Sequence, residues 1–253
     1  MRLTFLGTGT SNGVPVVGCD CEVCRSNDPR DKRLRTSALV ETESTRVLID
    51  CGPDFRQQIL PHPFRKIDGV LVTHIHYDHV AGIDDLRPFC RLGAVNIYAN
   101  ADTCRGLHHN MPYCFGEHLY PGVPLLALHT IAPHEPLRIG DLRILPIEVM
   151  HDQMPILGFR IGTMAYITDM KTIDDSELPY LQGIDTLVVN ALRWEKPHHS
   201  HQLVADAIAF ARRLGVRRTF LTHLTHEIGL HPEADKRLPD GFHFAYDGLQ
   251  IEV

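Results

Sequence analysis

At 253 residues, 43% hydrophobic and 22% charged, the chain has the composition of a soluble globular protein and the length for a full core. A formal charge of −6 argues against a binder of phosphate backbones, which presents a basic face, and so against a nucleic-acid partner. Seven cysteines, an odd number with three in one cluster, fit a reducing compartment better than a disulfide framework.

The chain opens "MRLTFLGTG", a strand-like run with no long apolar stretch behind it, which reads as neither a secretory signal nor a membrane span. The expectation is a cytoplasmic protein without membrane contact. No repeat, low-complexity tract or linker divides the sequence, so residues 1–253 are expected to form a single domain. In the loop "GTGTSNG", Gly7, Gly9 and Gly13 permit close approach, and Thr8, Thr10 and Ser11 add hydroxyls. Such a loop suits an anion cradle, although a tight turn has the same composition. Next comes "GCDCEVC", with Cys19, Cys21 and Cys24 within six residues. Clustered thiols hold metal, but a closed zinc site takes four ligands, and the next cysteine and histidine are Cys51 and His62. Cys51, Cys90, Cys104 and Cys114 read as buried or half-buried packing residues.

Apolar, β-branched runs predict strands at "TSALVET", "RVLIDCG", "GVLVTH", "VNIYA", "LRILPIEV", "MAYITD", "DTLVVNA" and "RTFLTH". Residues 107–136 carry Pro112, Pro121, Pro124, Pro133 and Pro136 with little periodicity. They read as a long, partly ordered connection shaping a substrate pocket. Asp84 and Asp85 read as helix-start residues. Helical spacing appears in "HQLVADAIAFARRLG", with Ser200 expected to cap the start and Gly215 the end. The final "FHFAYDGLQIEV" reads as a hairpin turning at Asp247-Gly248. Many strands with few helices imply two sheets covered by helices.

The chemistry concentrates in "THIHYDHVAG", where His74, His76, Asp78 and His79 follow a strand. One open catalytic zinc takes three protein ligands, so this set suits a pair of divalent metals, about 3.5–4 Å apart. Downstream, apolar runs stop at His151, at Asp169, and at His223 and His226, and each stop offers a further ligand.

The pattern HxHxDH followed by spaced His, Asp and His resembles the metallo-β-lactamase-fold hydrolases over essentially the whole chain. The resemblance implies an α/β fold, a four-layer αββα sandwich, with the metals at one edge. It also implies that His74, His76 and His151 hold one metal, that Asp78, His79 and His223 hold the other, and that Asp169 bridges them. "GTGTSNGVPVVGCDCEVC", "LIDCGPD", "GIDDLRPF" and "THLTH" further resemble the branch containing the phosphoribosyl 1,2-cyclic phosphate phosphodiesterase of bacterial phosphonate breakdown. That branch binds a structural zinc through its three cysteines and a later histidine, here His226.

The leading expectation is a phosphodiesterase of small cyclic phosphates, either phosphoribosyl 1,2-cyclic phosphate or a cyclic nucleotide. Two catalytic metals (zinc, manganese or iron) and one structural zinc go with it. Alternatives of the same fold are an RNA 3′-processing endonuclease and a thioester or lactone hydrolase. A non-catalytic metal sensor is the reading from another class. His201, expected at the start of a helix and matched by a histidine in related phosphodiesterases, is the candidate proton donor, with Asp78 the second catalytic group. His198 is the next candidate donor. Asp50 is expected behind the ligands, orienting a histidine, though a buried capping aspartate fits equally. The partner is expected to be a small phosphorylated substrate, and the resemblance implies a homodimer.

Overall fold

The computed structural model describes residues 1–116 and 122–253. Residues 117–121, part of the segment read as a pocket-shaping connection, lie outside the described residues. The strands are β1 (Arg2–Gly7), β2 (Ser37–Glu41), β3 (Arg46–Ile49), β4 (Gly69–Leu71), β5 (Val95–Ala99), β6 (Leu126–Thr130) and β7 (Leu137–Ile139). They continue with β8 (Leu142–His151), β9 (Met154–Ile161), β10 (Met164–Ile167), β11 (Thr186–Asn190), β12 (Arg218–Thr222), β13 (Phe242–Phe244) and β14 (Gln250–Glu252). Among the described residues they form two sheets, ordered β14-β1-β2-β3-β4-β5-β6 and β13-β12-β11-β10-β9-β8-β7.

Three apolar layers hold the sandwich together. Leu3, Phe5, Val40 and Ile49 from one sheet meet Leu157, Phe159, Tyr166 and Phe220 from the other. Outside the first sheet, Leu39, Leu48, Val70 and Ile97 pack on Phe55, Ile83, Leu86 and Leu107. Outside the second, Ala165, Leu187 and Leu221 pack on Val204, Ala207 and Phe210 of the helix Val204–Leu214. The result is the αββα order of the metallo-β-lactamase fold. Alternating strands bury both faces, so β2, β3 and β11 are buried at every position. Among the described residues no helix is long and apolar enough to cross a membrane.

Four expectations change. The closing segment is no hairpin: β13 pairs with β12 in one sheet, while β14 pairs with β1 in the other. Asp247 is pulled inward instead, accepting from Leu34 N at 2.6 Å and Thr8 Oγ1 at 2.7 Å, so the turn-like dipeptide becomes a crossing between sheets. The connection at 107–136 is more regular than its prolines suggest. The helix Ala101–Asn110 runs into it, Pro112–Phe115 is a short helix with proline at its first turn, and β6 follows. Ser200 does not cap the downstream helix. Leu203 is the capping position, its N–H donating to Asp206 Oδ2 at 3.0 Å, and His201 therefore precedes the helix rather than opening it. Gly215 does end that helix, at φ 66° in the left-handed region. Finally, the short strands β6 and β7 and the long β9 were not legible as strands. β9 pairs with β8 along eight residues, an arrangement its opening "MPILG" conceals.

Candidate metal centre

Strand ends at one edge of the sandwich build the site. Asp50 follows β3, His74 lies beyond β4, His151 ends β8, Asp169 lies two residues past β10, and His223 follows β12. Asp50, Asp169 and His223 have φ of 58°, 58° and 57°. Non-glycine residues enter this left-handed region at a cost, and such strain collects at functional sites. Here the kink turns each side chain out of its strand line toward a common point.

Two glycines let the motifs approach. A Cβ on Gly52 would clash with Asp78 O, and one on Gly82 with Gly52 O. The bare backbones bond instead: Cys51 N–H donates to His79 O at 2.8 Å, and Gly82 N–H to Cys51 O at 2.9 Å. "LIDCGPD" and "THIHYDHVAG" are thereby locked back to back.

Three overlapping donor groups result, each with its ligand atoms within 4.8 Å of one another: His74 with His76 and His151, Asp78 with His79, Asp169 and His223, and His151 with Asp169 and His201. In the first, His74 Nε2 lies 2.9 Å from His76 Nδ1. His151 donates from Nδ1 to Asp169 O at 2.7 Å, leaving Nε2 free to coordinate. In the second, His79 donates from Nδ1 to Asp50 Oδ2 at 2.7 Å. Its Nε2 is buried without a hydrogen-bond partner, yet sits 3.4 Å from both Asp78 Oδ2 and Asp169 Oδ1. An orphaned ring nitrogen facing two carboxylates is what a cation site presents, and the donor set fits divalent metal.

The electrostatics agree. Burial holds His74 well below the usual imidazole range and takes His223 down to about 4, so both are neutral ligands at pH 7. Burial also opposes the charged form of His79, but Asp169, Asp50 and Asp78 outweigh it and push the group well up.

Asp50 is fully buried behind this set. Besides holding His79, it accepts from Thr73 N at 2.8 Å and from Thr73 Oγ1 at 2.9 Å. Carboxylates in such a position set the tautomer and angle of a ligand. Asp50→Asn is expected to lower metal affinity or activity by roughly 10–100-fold, read by metal titration beside turnover. Thr73 and Thr36, whose Oγ1 lies 3.3 Å from His223 Nδ1, were missed by sequence reasoning. Thr73 stands inside the histidine motif, but a threonine at a strand end gives no signal of its own.

His201 reaches the same centre. Its Nε2 is 3.1 Å from Asp169 Oδ2, and its ring stacks on His223 at 4.8 Å. Nδ1 lies 3.0 Å from Ser200 Oγ and 3.1 Å from His198 Nδ1. The glycine-rich loop is placed differently from the cradle expected of it. Thr8 is wholly buried, with its hydroxyl between Asp247 and Arg33 Nη1, and Thr10 is nearly so, while Ser11 is exposed. Thr8 is therefore a packing residue, because its one hydroxyl is already used on both sides.

The cysteine cluster closes on His226. Nδ1 of that ring lies 3.3 Å from Cys19 Sγ, 3.3 Å from Cys21 Sγ and 3.2 Å from Cys24 Sγ. One ring nitrogen can share one proton with one sulfur, so three sulfurs around it point to a shared cation, and the Cys3His set fits zinc. Burial opposes the Cys21 thiolate, but hydrogen bonds from Cys24 N, Cys19, Cys24 and His226 win and bring the thiol down to about 7. Burial pushes Cys24 up to about 11. The loop is tied to the metal edge by Thr10 N–H donating to Leu224 O at 3.1 Å and Leu224 N–H to Thr8 O at 2.9 Å.

A family model described as the beta-lactamase superfamily domain matches residues 45–224. The whole chain is 45% identical to a protein named octanoyltransferase from Porphyromonas gingivalis, of which it covers 52%. The chain thus spans about half the length of that relative. A solved structure described as a new diphosphatase from the PhnP family superposes with a TM-score of 0.92 at 40% identity, covering 100% of this chain and 97% of that one. Zinc-bound PqqB from Methylobacterium extorquens superposes at 0.79 with 20% identity over all of both chains, a likeness of fold alone.

Proposed function

The chain belongs to the beta-lactamase superfamily, in its PhnP-like branch, and from that premise we propose a metal-dependent phosphoric diester hydrolase acting on a small phosphorylated substrate. The observation that carries this reading is the double donor set, three imidazoles beside a carboxylate-rich group, sharing one edge. His74, His76 and His151 would hold one divalent cation, Asp78, His79 and His223 the other, with Asp169 between them. When bound, such a pair supplies Lewis acidity toward a phosphoryl oxygen and lowers the pKa of water.

The chain's own residues do the rest. Asp50 and Asp169 O fix the ring orientations of His79 and His151. His201 stands outside the two sets that would hold the cations, although it lies within ligand distance of His151 and Asp169, and it overhangs Asp169 and His223, which suits a proton donor to the leaving oxygen. The mouth is an open cleft of about 440 Å³ lined by His76, His151, Asp152, Gln153, Met154 and His199, with Ser200 beside them. It favours a compact anion such as a cyclic ribose phosphate or cyclic nucleotide. The diphosphatase likeness supports phosphorus-centred hydrolysis. The octanoyl chemistry in the name of the longer relative is not carried over, because this chain spans only 52% of that protein.

Bis-p-nitrophenyl phosphate, cyclic nucleotides, a nucleoside diphosphate, precursor tRNA and an acyl thioester, assayed side by side with added zinc or manganese, test this. Turnover of the small diesters is expected, and turnover of the thioester or the tRNA alone would overturn the reading. For His201→Ala the expected outcome is unchanged metal content with turnover reduced by roughly 10²–10⁴-fold on a poor alkoxide leaving group. The loss should shrink on a p-nitrophenyl ester. Equal losses on both would make His201 a phosphate-positioning group, and loss of metal would make it a ligand.

A further inference from the structure

Away from the metal edge, the outer face of the first sheet carries a second concavity of about 800 Å³, bounded by β1, β14 and the loop after Phe55–Ile59. Three guanidinium groups, Arg2, Arg46 and Arg65, converge there on one carboxylate, Glu41, at 2.8, 2.8 and 3.8 Å. Arg46 is only 2% exposed, and its pairing with Glu41 and with Pro63 O satisfies it structurally. Arg2 and Arg65 remain 44% and 40% exposed, and with Arg46 they outnumber the two carboxylates that line the cavity, Glu41 and Asp247, by one charge on a chain of net charge −6.

His62 and Pro63 also line a neighbouring cavity of about 260 Å³ whose walls are largely apolar, from Ile59, Leu60, Phe64, Pro88 and Phe89. Leu60 and Phe64 are 65% and 52% exposed at its rim, with the Phe64 ring packed on Phe89 at 5.0 Å. A cationic cavity that meets an apolar one along a shared wall complements one kind of occupant. We propose that this face binds a free, single-chain amphiphilic anion, its head at Arg2 and Arg65 and its chain between Leu60 and Phe64. A hollow of about 260 Å³ has room for one chain, which commits the site to a soluble ligand.

Alkyl sulfates are suitable probes, because sulfate esters are weak ligands for the metals of the catalytic edge. Calorimetric titration of the metal-loaded protein with butyl, hexyl and octyl sulfate is expected to show affinity rising by about fourfold per methylene. Arg65→Gln should weaken octyl sulfate about tenfold, and Leu60→Ser should flatten the chain-length dependence. Both variants should keep the wild-type melting temperature and diesterase turnover. Vesicles of anionic phospholipid should not sediment the protein. Affinity independent of chain length, binding untouched by both substitutions, or sedimentation with vesicles would each overturn the proposal.

Discussion

Asp169→Asn is expected to reduce diesterase turnover by more than about 100-fold, beyond what loss of an outer-shell partner costs. The reason lies in how many groups this one carboxylate serves. It sits 3.1 Å from His223 Nδ1, 3.1 Å from His201 Nε2 and 3.4 Å from His79 Nε2. Burial opposes its charge, yet the imidazoles around it and the hydrogen bonds from His201 and His79 hold the carboxyl well below its usual range. Asparagine preserves the shape and the left-handed tendency at φ 58° but removes the charge that offsets two cations. Elemental analysis should find the Asp78 group depleted, while the Cys19, Cys21, Cys24 and His226 site keeps its zinc. A variant that retained full metal and turnover would show that Asp169 does not lie between the metals.

His226→Ala should strike stability first. Loss of a structural metal belongs to the class of changes costing about 4 kcal/mol or more, and for a chain of this size that lowers the melting temperature by roughly 10 °C. The segment around Cys19–Cys24 contributes only a small apolar cluster, Val14, Val23 and Cys24 with Leu230 beside them, too little to hold it without the cation. Activity should fall as well, through the Thr10–Leu224 tie to the metal edge. His223→Ala, three residues away, should invert the pattern, abolishing turnover while the thiol site stays filled. Differential scanning calorimetry beside zinc analysis reads both. An unchanged melting temperature and zinc content in His226→Ala would require another fourth ligand.

The histidines and carboxylates of the metal edge were legible because their chemistry is local: four potential ligands in six residues leave few other uses. The partner of the cysteine cluster was not, except through family resemblance, since His226 is 202 residues from Cys24 and no pattern within either segment joins them. The same limit explains the loop "GTGTSNG". Its composition is right for an anion cradle, but the burial of Thr8 follows from Arg33 and Asp247, which lie 25 and 239 residues away.

Alternation and composition alone determined most strands, the two-sheet layering, the helix ending at Gly215 and the kinds of atoms that would meet a metal. Those properties depend on neighbours one to four residues apart, where side-chain periodicity and turn chemistry act. Only the tertiary structure decided the rest. It sent β13 and β14 to different sheets, because a buried Asp247 bonded to Leu34 and Thr8 outweighs the local preference of Asp-Gly for a hairpin. It also moved His201 off the helix and onto Asp169, and it kinked Asp50, Asp169 and His223 into the left-handed region. Residues far apart in the chain make these contacts, and their free energy exceeds the local cost each segment bears.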